Sequence, residues 1–216
     1  MILYVIDDLI ESREAAKLDP DSQYVGKWAD AWEIDRVNGD TEKCPKCGRH
    51  VSGFEWLYPR KIKLTSMKYP DRLSAWINEY FVVSERFVEA YNAANLNGIE
   101  KFSPIEVVSV ADKKIVNPMP PQYFCADVIR NNVRIDYKKS KIKGQKYDWK
   151  CELCNPKGKT MDSLDLLILD AANWRGEDIF KIYEIGCFFV TQRFVDFCNS
   201  NQYTNFMFTP TDKYKI

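Results

Sequence analysis

The chain repeats itself. Val83–Ile99, VSERFVEAYNAANLNGI, returns 107 residues later as Val190–Phe206, VTQRFVDFCNSNQYTNF. Val83 aligns with Val190, Arg86 with Arg193, Phe87 with Phe194, Val88 with Val195 and Asn92 with Asn199. The replacements are of similar kind: Ser84 becomes Thr191, Glu89 becomes Asp196, and Glu85 becomes Gln192, which keeps its size and loses its charge. The same offset carries Cys44 onto Cys151, Cys47 onto Cys154, Leu57 onto Leu164, Asp71 onto Asp178 and Leu73 onto Phe180, and Ser103-Pro104 recurs one residue out of step as Thr209-Pro210. A repeat constrains a fold more than any single motif, because each copy must build the same unit. It predicts an internally duplicated α+β protein with two similar halves, residues 1–107 and 108–216, packed as one compact body. Each half has a CxxC knuckle, strands and a Ser/Thr-capped helix. Upstream of the cysteines the alignment weakens to Gln23-Tyr24 with Gln122-Tyr123 and Ile34-Asp35 with Ile135-Asp136. That register needs about six extra residues in the second copy.

The repeated stretch reads as a helix start. Ser84 and Thr191 stand where an N-cap oxygen would accept from an orphan backbone N–H. Phe, not Glu, stands three residues on, so there is no capping box. Val83 with Val88, and Val190 with Val195, suit a hydrophobic staple instead. Phe87, Val88, Tyr91 and Ala94 share one helical face, as do Phe194, Val195 and Cys198, which predicts a core-facing side. Gly98 and Asn205 are the expected stops.

Elsewhere the pattern predicts strands at Ile2–Ile6, Phe54–Leu57, Lys61–Thr65, Tyr80–Val83, Ile105–Val110, Leu164–Leu169 and Cys187–Val190. Trp28, Trp32 and Ile34 lead toward another. Asp7–Leu18 reads as a helical turn or a loop. Asp19–Ser22 and Asn38-Gly39-Asp40 read as turns. Short helices are expected at Pro70–Ile77 and from Trp174 to about Ile182, and Asn117–Pro121 reads as the linker between halves. The basic run KKSKIKGQK, Lys138–Lys146, is either a phosphate-contacting patch or a solvated hairpin turning at Gly144. Alternation from Val133 to Trp149 favours the hairpin.

Cys44-Pro45-Lys46-Cys47-Gly48 has the form of a metal knuckle, in which Gly lets the backbone fold back toward sulfur. Cys151-Glu152-Leu153-Cys154 is the second pair, with Asn155 where Gly stood; Asn also tolerates the left-handed conformation. Four thiolates suit one tetrahedral zinc. The 103 residues between Cys47 and Cys151 exceed any ordinary ribbon spacing. Two halves packed about a pseudo-twofold axis would bring the pairs together there. A redox pair would open a helix after a strand, which neither pair does; inert thiols remain the other reading. His50, the only histidine, is a neighbour or a replacement ligand. Cys125, Cys187 and Cys198 lie in apolar runs and read as core. An odd count of seven cysteines argues against a secreted disulfide framework and for the reducing cytoplasm.

Lys plus Arg equals Asp plus Glu at 31 each, so a nucleic-acid partner is not expected. No stretch reaches the length of a membrane span, and the first residues lack a basic region. The chain carries no Gly-rich phosphate loop, no HExxH and no nucleophile with a base, so no enzyme is expected. Asp7-Asp8 and Asp162 with Asp165 read as solvated acids.

A cysteine pair with Gly, a second pair, then Trp-Arg-Gly-Glu-Asp-Ile-Phe (Trp174–Phe180), Phe-Val-Thr-Gln-Arg-Phe-Val (Phe189–Val195) and Thr-Asn-Phe-Met-Phe-Thr-Pro (Thr204–Pro210) resemble the bacterial double-CxxCG motif proteins, an immunity family of polymorphic toxin systems. Val-Ser-Glu-Arg-Phe at Val83–Phe87 also resembles related immunity families without the cysteines. The resemblance runs from about Cys44 onward and departs at Asn155. It implies a cytoplasmic protein that binds and neutralises a cognate protein toxin, with Cys44, Cys47, Cys151 and Cys154 on one structural zinc. A zinc-containing nucleic-acid-binding regulator is the alternative. Trp174 and Arg175 are candidate toxin anchors, against which stands a plain structural role: Trp174 in the core and Arg175 on a helix end. The acidic stretches at Asp7-Asp8 and Asp162–Asp170 could meet a basic toxin.

Overall fold

The computed structural model describes residues 2–6, 29, 31–73, 80–111, 113 and 118–215. The expectations at Asp7–Leu18, Asp19–Ser22, Gln23-Tyr24 and Trp28 fall outside these residues. In chain order the elements are β1 (Leu3–Ile6), β2 (Ala31–Ile34), β3 (Asn38–Lys43), β4 (His50–Trp56), β5 (Lys61–Leu64), β6 (Arg72–Leu73), β7 (Phe81–Ser84), α1 (Glu85–Ala93), β8 (Ile99–Val110) and β9 (Tyr123–Val128). There follow β10 (Arg134–Ile135), β11 (Lys141–Lys143), β12 (Ser163–Leu166), β13 (Leu169–Asp170), β14 (Ile179–Phe180), β15 (Phe188–Thr191), α2 (Gln192–Ser200) and β16 (Phe208–Pro210). The described residues form a mixed α+β protein, mostly strands with two helices.

β7 and β15 are four-residue apolar runs, FVVS and FFVT, buried at every position. A strand that is apolar on both faces must be covered on both, and each is. Phe81 and Val83 of β7 and Phe188 and Val190 of β15 point into one central cluster with the two helices. Val82 points the other way, into a cluster with Trp56, Ile62, Leu64 and Tyr123. Phe189 points into a third, with Val5, Leu164, Phe180 and Ile182.

The two sheets have matching registers. One is six-stranded, β2-β5-β8-β9-β7-β6, and the other four-stranded, β14-β15-β1-β16. Arg72 faces Val83 and Leu73 faces Val82; 107 residues on, Ile179 faces Val190 and Phe180 faces Phe189. β9 flanks β7 with Phe81 opposite Ala126, as β1 flanks β15 with Phe188 opposite Ile6. On the far side Pro104 faces Phe124, as Pro210 faces Tyr4. The strand between β15 and β16 thus comes from the start of the chain, and the strand between β7 and β8 comes from beyond residue 120. β1 and β9 occupy equivalent places, each in the sheet built mainly from the other side of the chain.

Both helices start as the repeat predicts. Ser84 Oγ accepts from Phe87 N at 3.4 Å and Thr191 Oγ1 from Phe194 N at 3.3 Å. The helices end at Ala93 and Ser200, before the expected stops. The first left-handed residues beyond them are Asn95 (φ 50°) and Gln202 (φ 53°), followed by Gly98 and Asn205. Gly98 is needed for a second reason: a Cβ there would lie 1.9 Å from the Ile179 carbonyl oxygen.

Four local readings are corrected. No helix opens at Pro70: Arg72–Leu73 is a strand whose backbone is drawn into pairing with β7, and the rest of the expected helix, residues 74–77, lies outside the described residues. No helix follows Trp174, because Gly176 turns the chain at φ 99° and Ile179–Phe180 pairs with β15. Asn38-Gly39-Asp40 lies inside β3, which is irregular there, and the β3–β4 reversal is made further on by the first cysteine knuckle. The chain does not turn at Gly144 either. β11 pairs with β12, and Thr160 N continues the ladder by donating to Gln145 O at 2.9 Å. This hairpin closes at the second knuckle.

Candidate functional site

Each CxxC pair therefore sits at a hairpin tip. In the first, Gly48 N donates to Cys44 O at 2.8 Å, with Gly48 left-handed at φ 73°. In the second, Asn155 N donates to Cys151 O at 3.0 Å. Asn155 makes the same bond without positive φ, so its expected left-handed conformation is not used; that role passes to Gly158 at φ 60°.

The tips meet. Cys44 Sγ lies 3.8 Å from Cys151 Sγ, and Cys47 Sγ lies 3.6 Å from Cys154 Sγ. All four sulfurs fall within 4.8 Å of one another. These gaps are far too long for disulfides, and all seven cysteines are free. A metal with bonds of about 2.3 Å to sulfur has tetrahedral edges of about 3.8 Å, close to the Cys44–Cys151 and Cys47–Cys154 separations. Four cysteines so placed could hold one metal ion. Burial works against ionisation of Cys151, but the N–H groups of Cys154 and Leu153 outweigh it and bring that thiol down to about 6. Cys154 is pushed up, by burial first and then by its neighbouring sulfurs. The two shifts run in opposite directions, and a bound cation would favour the thiolate form of its ligands.

His50 is not among the four. Its Nδ1 contacts Thr41 Oγ1 on the exposed side of the hairpin. Cys125 and Cys198 are buried core residues as expected, and burial pushes Cys125 up to about 12. Cys187 is half-buried, with Sγ 3.4 Å from Tyr214 Oη. Trp174 packs against the cluster that holds Val5, Phe180 and Phe189 and donates Nε1–H to Glu177 O at 3.0 Å, while Arg175 is exposed.

A second pair of polar centres went unread beyond its place in the repeat. Asp71 accepts from Arg86 Nη2 at 2.7 Å, Ser84 Oγ at 2.9 Å and Thr204 N at 2.9 Å. Asp178 accepts from Arg193 Nη1 at 2.9 Å, Thr191 Oγ1 at 3.1 Å and Asn97 N at 3.1 Å. The contacts are reciprocal: Arg86 also donates to Asn201 O and Arg193 to Ala94 O. The available signal was the offset itself, which aligned Asp71 with Asp178 and Arg86 with Arg193.

Two hairpins clasped by cysteines over paired sheets make a scaffold, with no catalytic constellation among the described residues. The chain belongs to the Imm11 immunity protein family, whose model matches residues 15–213. This bears out the resemblance to an immunity family of toxin systems. It is not an enzyme family, and membership implies a toxin as partner. No curated protein matches the chain. Among the described residues no helix is long and apolar enough to cross a membrane.

Proposed function

We propose that the protein binds a cognate bacterial toxin in the cytoplasm and neutralises it by occupation, without chemistry of its own. Family membership over residues 15–213 carries this reading. One structural zinc on Cys44, Cys47, Cys151 and Cys154 joins two duplicated halves, residues 1–107 and 108–216. The sulfur spacing supports the metal, and the soft four-thiolate set favours zinc among divalent ions. Contacts between residues 107 apart support the duplication. Cys44 meets Cys151, Phe81 meets Phe188 with centroids 5.4 Å apart, and Phe87 meets Phe194 at 6.1 Å. A residue touches its own counterpart only near a twofold axis. That axis would pass through both the metal site and the aromatic core.

The test is co-expression with toxin domains cloned from the reading frames that flank the gene. Restored growth together with a 1:1 complex supports occupation. Rescue without a complex, or DNA binding that dominates at physiological salt and weakens steeply as salt rises, supports a zinc-containing nucleic-acid-binding regulator instead.

A further inference from the structure

The β3–β4 hairpin stands off the sheet body, and a cleft of about 370 Å³ runs between its flank and strands β8 and β9. A second cleft, of about 380 Å³, continues beneath β4 toward the loop before β15, and both are bordered by Ser52, Gly53 and Lys181. The floor of the first is apolar, with Ala126, Val128 and Phe188 buried. At its lip Phe54 leaves 55% of its surface in water.

The charge of this groove is one-sided. Asp40, Glu55, Glu100 and Asp127 line it, all exposed, and none enters an ion pair among the described residues. The cations present are already engaged or partly buried. Arg130 holds Glu42 through two bonds of 2.7 Å, and half-buried Lys181 lies in the field of Glu42 and Asp127. An independent feature sits at the far end of the second cleft. Glu184 has a side chain only 1% exposed; Arg134 Nε donates to its Oε1 at 2.6 Å and Ile135 N at 3.4 Å, and its Oε2 has no hydrogen-bond partner. A buried carboxylate oxygen without a donor is costly unless something supplies one.

We propose that this groove receives a lysine- or arginine-bearing segment of the toxin, its apolar floor and Phe54 covering the aliphatic stem and the carboxylates taking the cationic head. The assignment rests on the toxin-binding reading above and deepens it. Long basic side chains pair an apolar stem with a charged tip, which is what the floor and rim offer. The hairpin wall is held just below its tip by Arg130, which also donates to Val51 O at 3.2 Å, and at the tip itself by the cysteine cluster. The metal site thereby sets the groove without lining the part that bears the carboxylates. This places the acidic contact on Asp40, Glu100 and Asp127, away from Asp162–Asp170, where Asp165 is already paired with Lys143 at 3.3 Å.

The experiment measures the Kd of the neighbour-encoded toxin domain for metal-replete wild type, Glu100→Lys/Asp127→Lys, Phe54→Ala, and Glu89→Lys on the exposed face of α1 as control. All proteins are first matched for thermal midpoint and far-ultraviolet spectrum. The double reversal is expected to weaken binding by about tenfold or more, chiefly through slower association and with a shallower salt dependence, while Glu89→Lys changes it less than about twofold. Phe54→Ala keeps every charge and should weaken binding through faster dissociation. Wild-type binding that survives both groove variants overturns the groove and leaves the immunity reading standing. No wild-type binding overturns both. A dimer of this chain abolished by the same reversals would put a second copy in the groove and also overturns the assignment.

Discussion

Asp71 shows how one carboxylate joins several parts of the chain. Burial alone would raise its pKa, but the Arg86 guanidinium, then the Thr204 N–H and the Ser84 and Thr204 hydroxyls, outweigh burial and hold it below the usual range. In an unfolded chain an Asp titrates at about 3.9. Since the folded value is lower, acidification protonates the unfolded state first. The stabilisation is therefore present above about pH 4 and is lost as pH falls through the folded value. Melting followed from about pH 5 to pH 2 should show a shallower acid-side decline for Asp71→Asn than for wild type. Asp71→Ala leaves donors from two segments, Ser84–Arg86 and Thr204, without their acceptor and should cost about 3 kcal/mol at pH 7. Arg86→Ala, whose side chain is 56% exposed, should cost only about 1 kcal/mol after solvent screening. Chemical denaturation of the three variants checks the order.

At the scale of elements, the helices are short, nine residues each, and are held by caps and by packing more than by intrinsic propensity. Ser84→Ala and Thr191→Ala should each cost about 1 kcal/mol. They should not add fully, because Phe87 and Phe194 inside the two capped turns touch each other; a double-mutant cycle reads the difference. The connections after the helices are stricter. Gly98→Ala meets both a positive φ and a carbonyl oxygen 1.9 Å away, whereas Gly176→Ala has positive φ and nothing within 4 Å. Urea titrations should show a loss above about 3 kcal/mol for the first and about 1 kcal/mol for the second. Equal losses would mean that the close approach of Gly98 to Ile179 contributes nothing.

At the scale of the whole molecule, β1 and β9 sit in each other's sheets, which forbids a simple two-domain life. Fragments cut between residues 107 and 108 would each lack a central strand of their main sheet. Each alone should show no cooperative unfolding, and co-expression should restore it; far-ultraviolet melting of separate and mixed fragments decides. Metal removal should act more gently. In small zinc fingers the metal supplies roughly 10–16 kcal/mol and the fold itself. This chain retains three apolar clusters that include none of the four CxxC cysteines. Stripping the metal, or Cys44→Ser with Cys151→Ser, should therefore lower the melting temperature and speed amide exchange at the two hairpin tips, with the central sheet residues still protected. Elemental analysis of the native protein should find one zinc per chain.

What was legible in the sequence were features that one segment determines within itself. Two capped helices, the apolar runs of β1, β7 and β15, and the knuckle form of Cys44–Cys47 and Cys151–Cys154 each depend on neighbours a few residues away. The repeat extended that reach once, by making equivalent residues candidates to meet. It could not say that β1 and β9 change places, because strand pairing is settled by which edge is covered across more than 100 residues of chain, and both alternatives satisfy the same alternation. The helix start that fails at Pro70 and the helix that fails after Trp174 have the same origin: cross-strand pairing with Val83 and Val190 overrides weak local preference. The acids of the groove were invisible for the complementary reason. Asp40, Glu100 and Asp127 lie on three different strands, each an ordinary solvated carboxylate in its own segment. Only the tertiary structure sets them around one apolar floor, where their charges add.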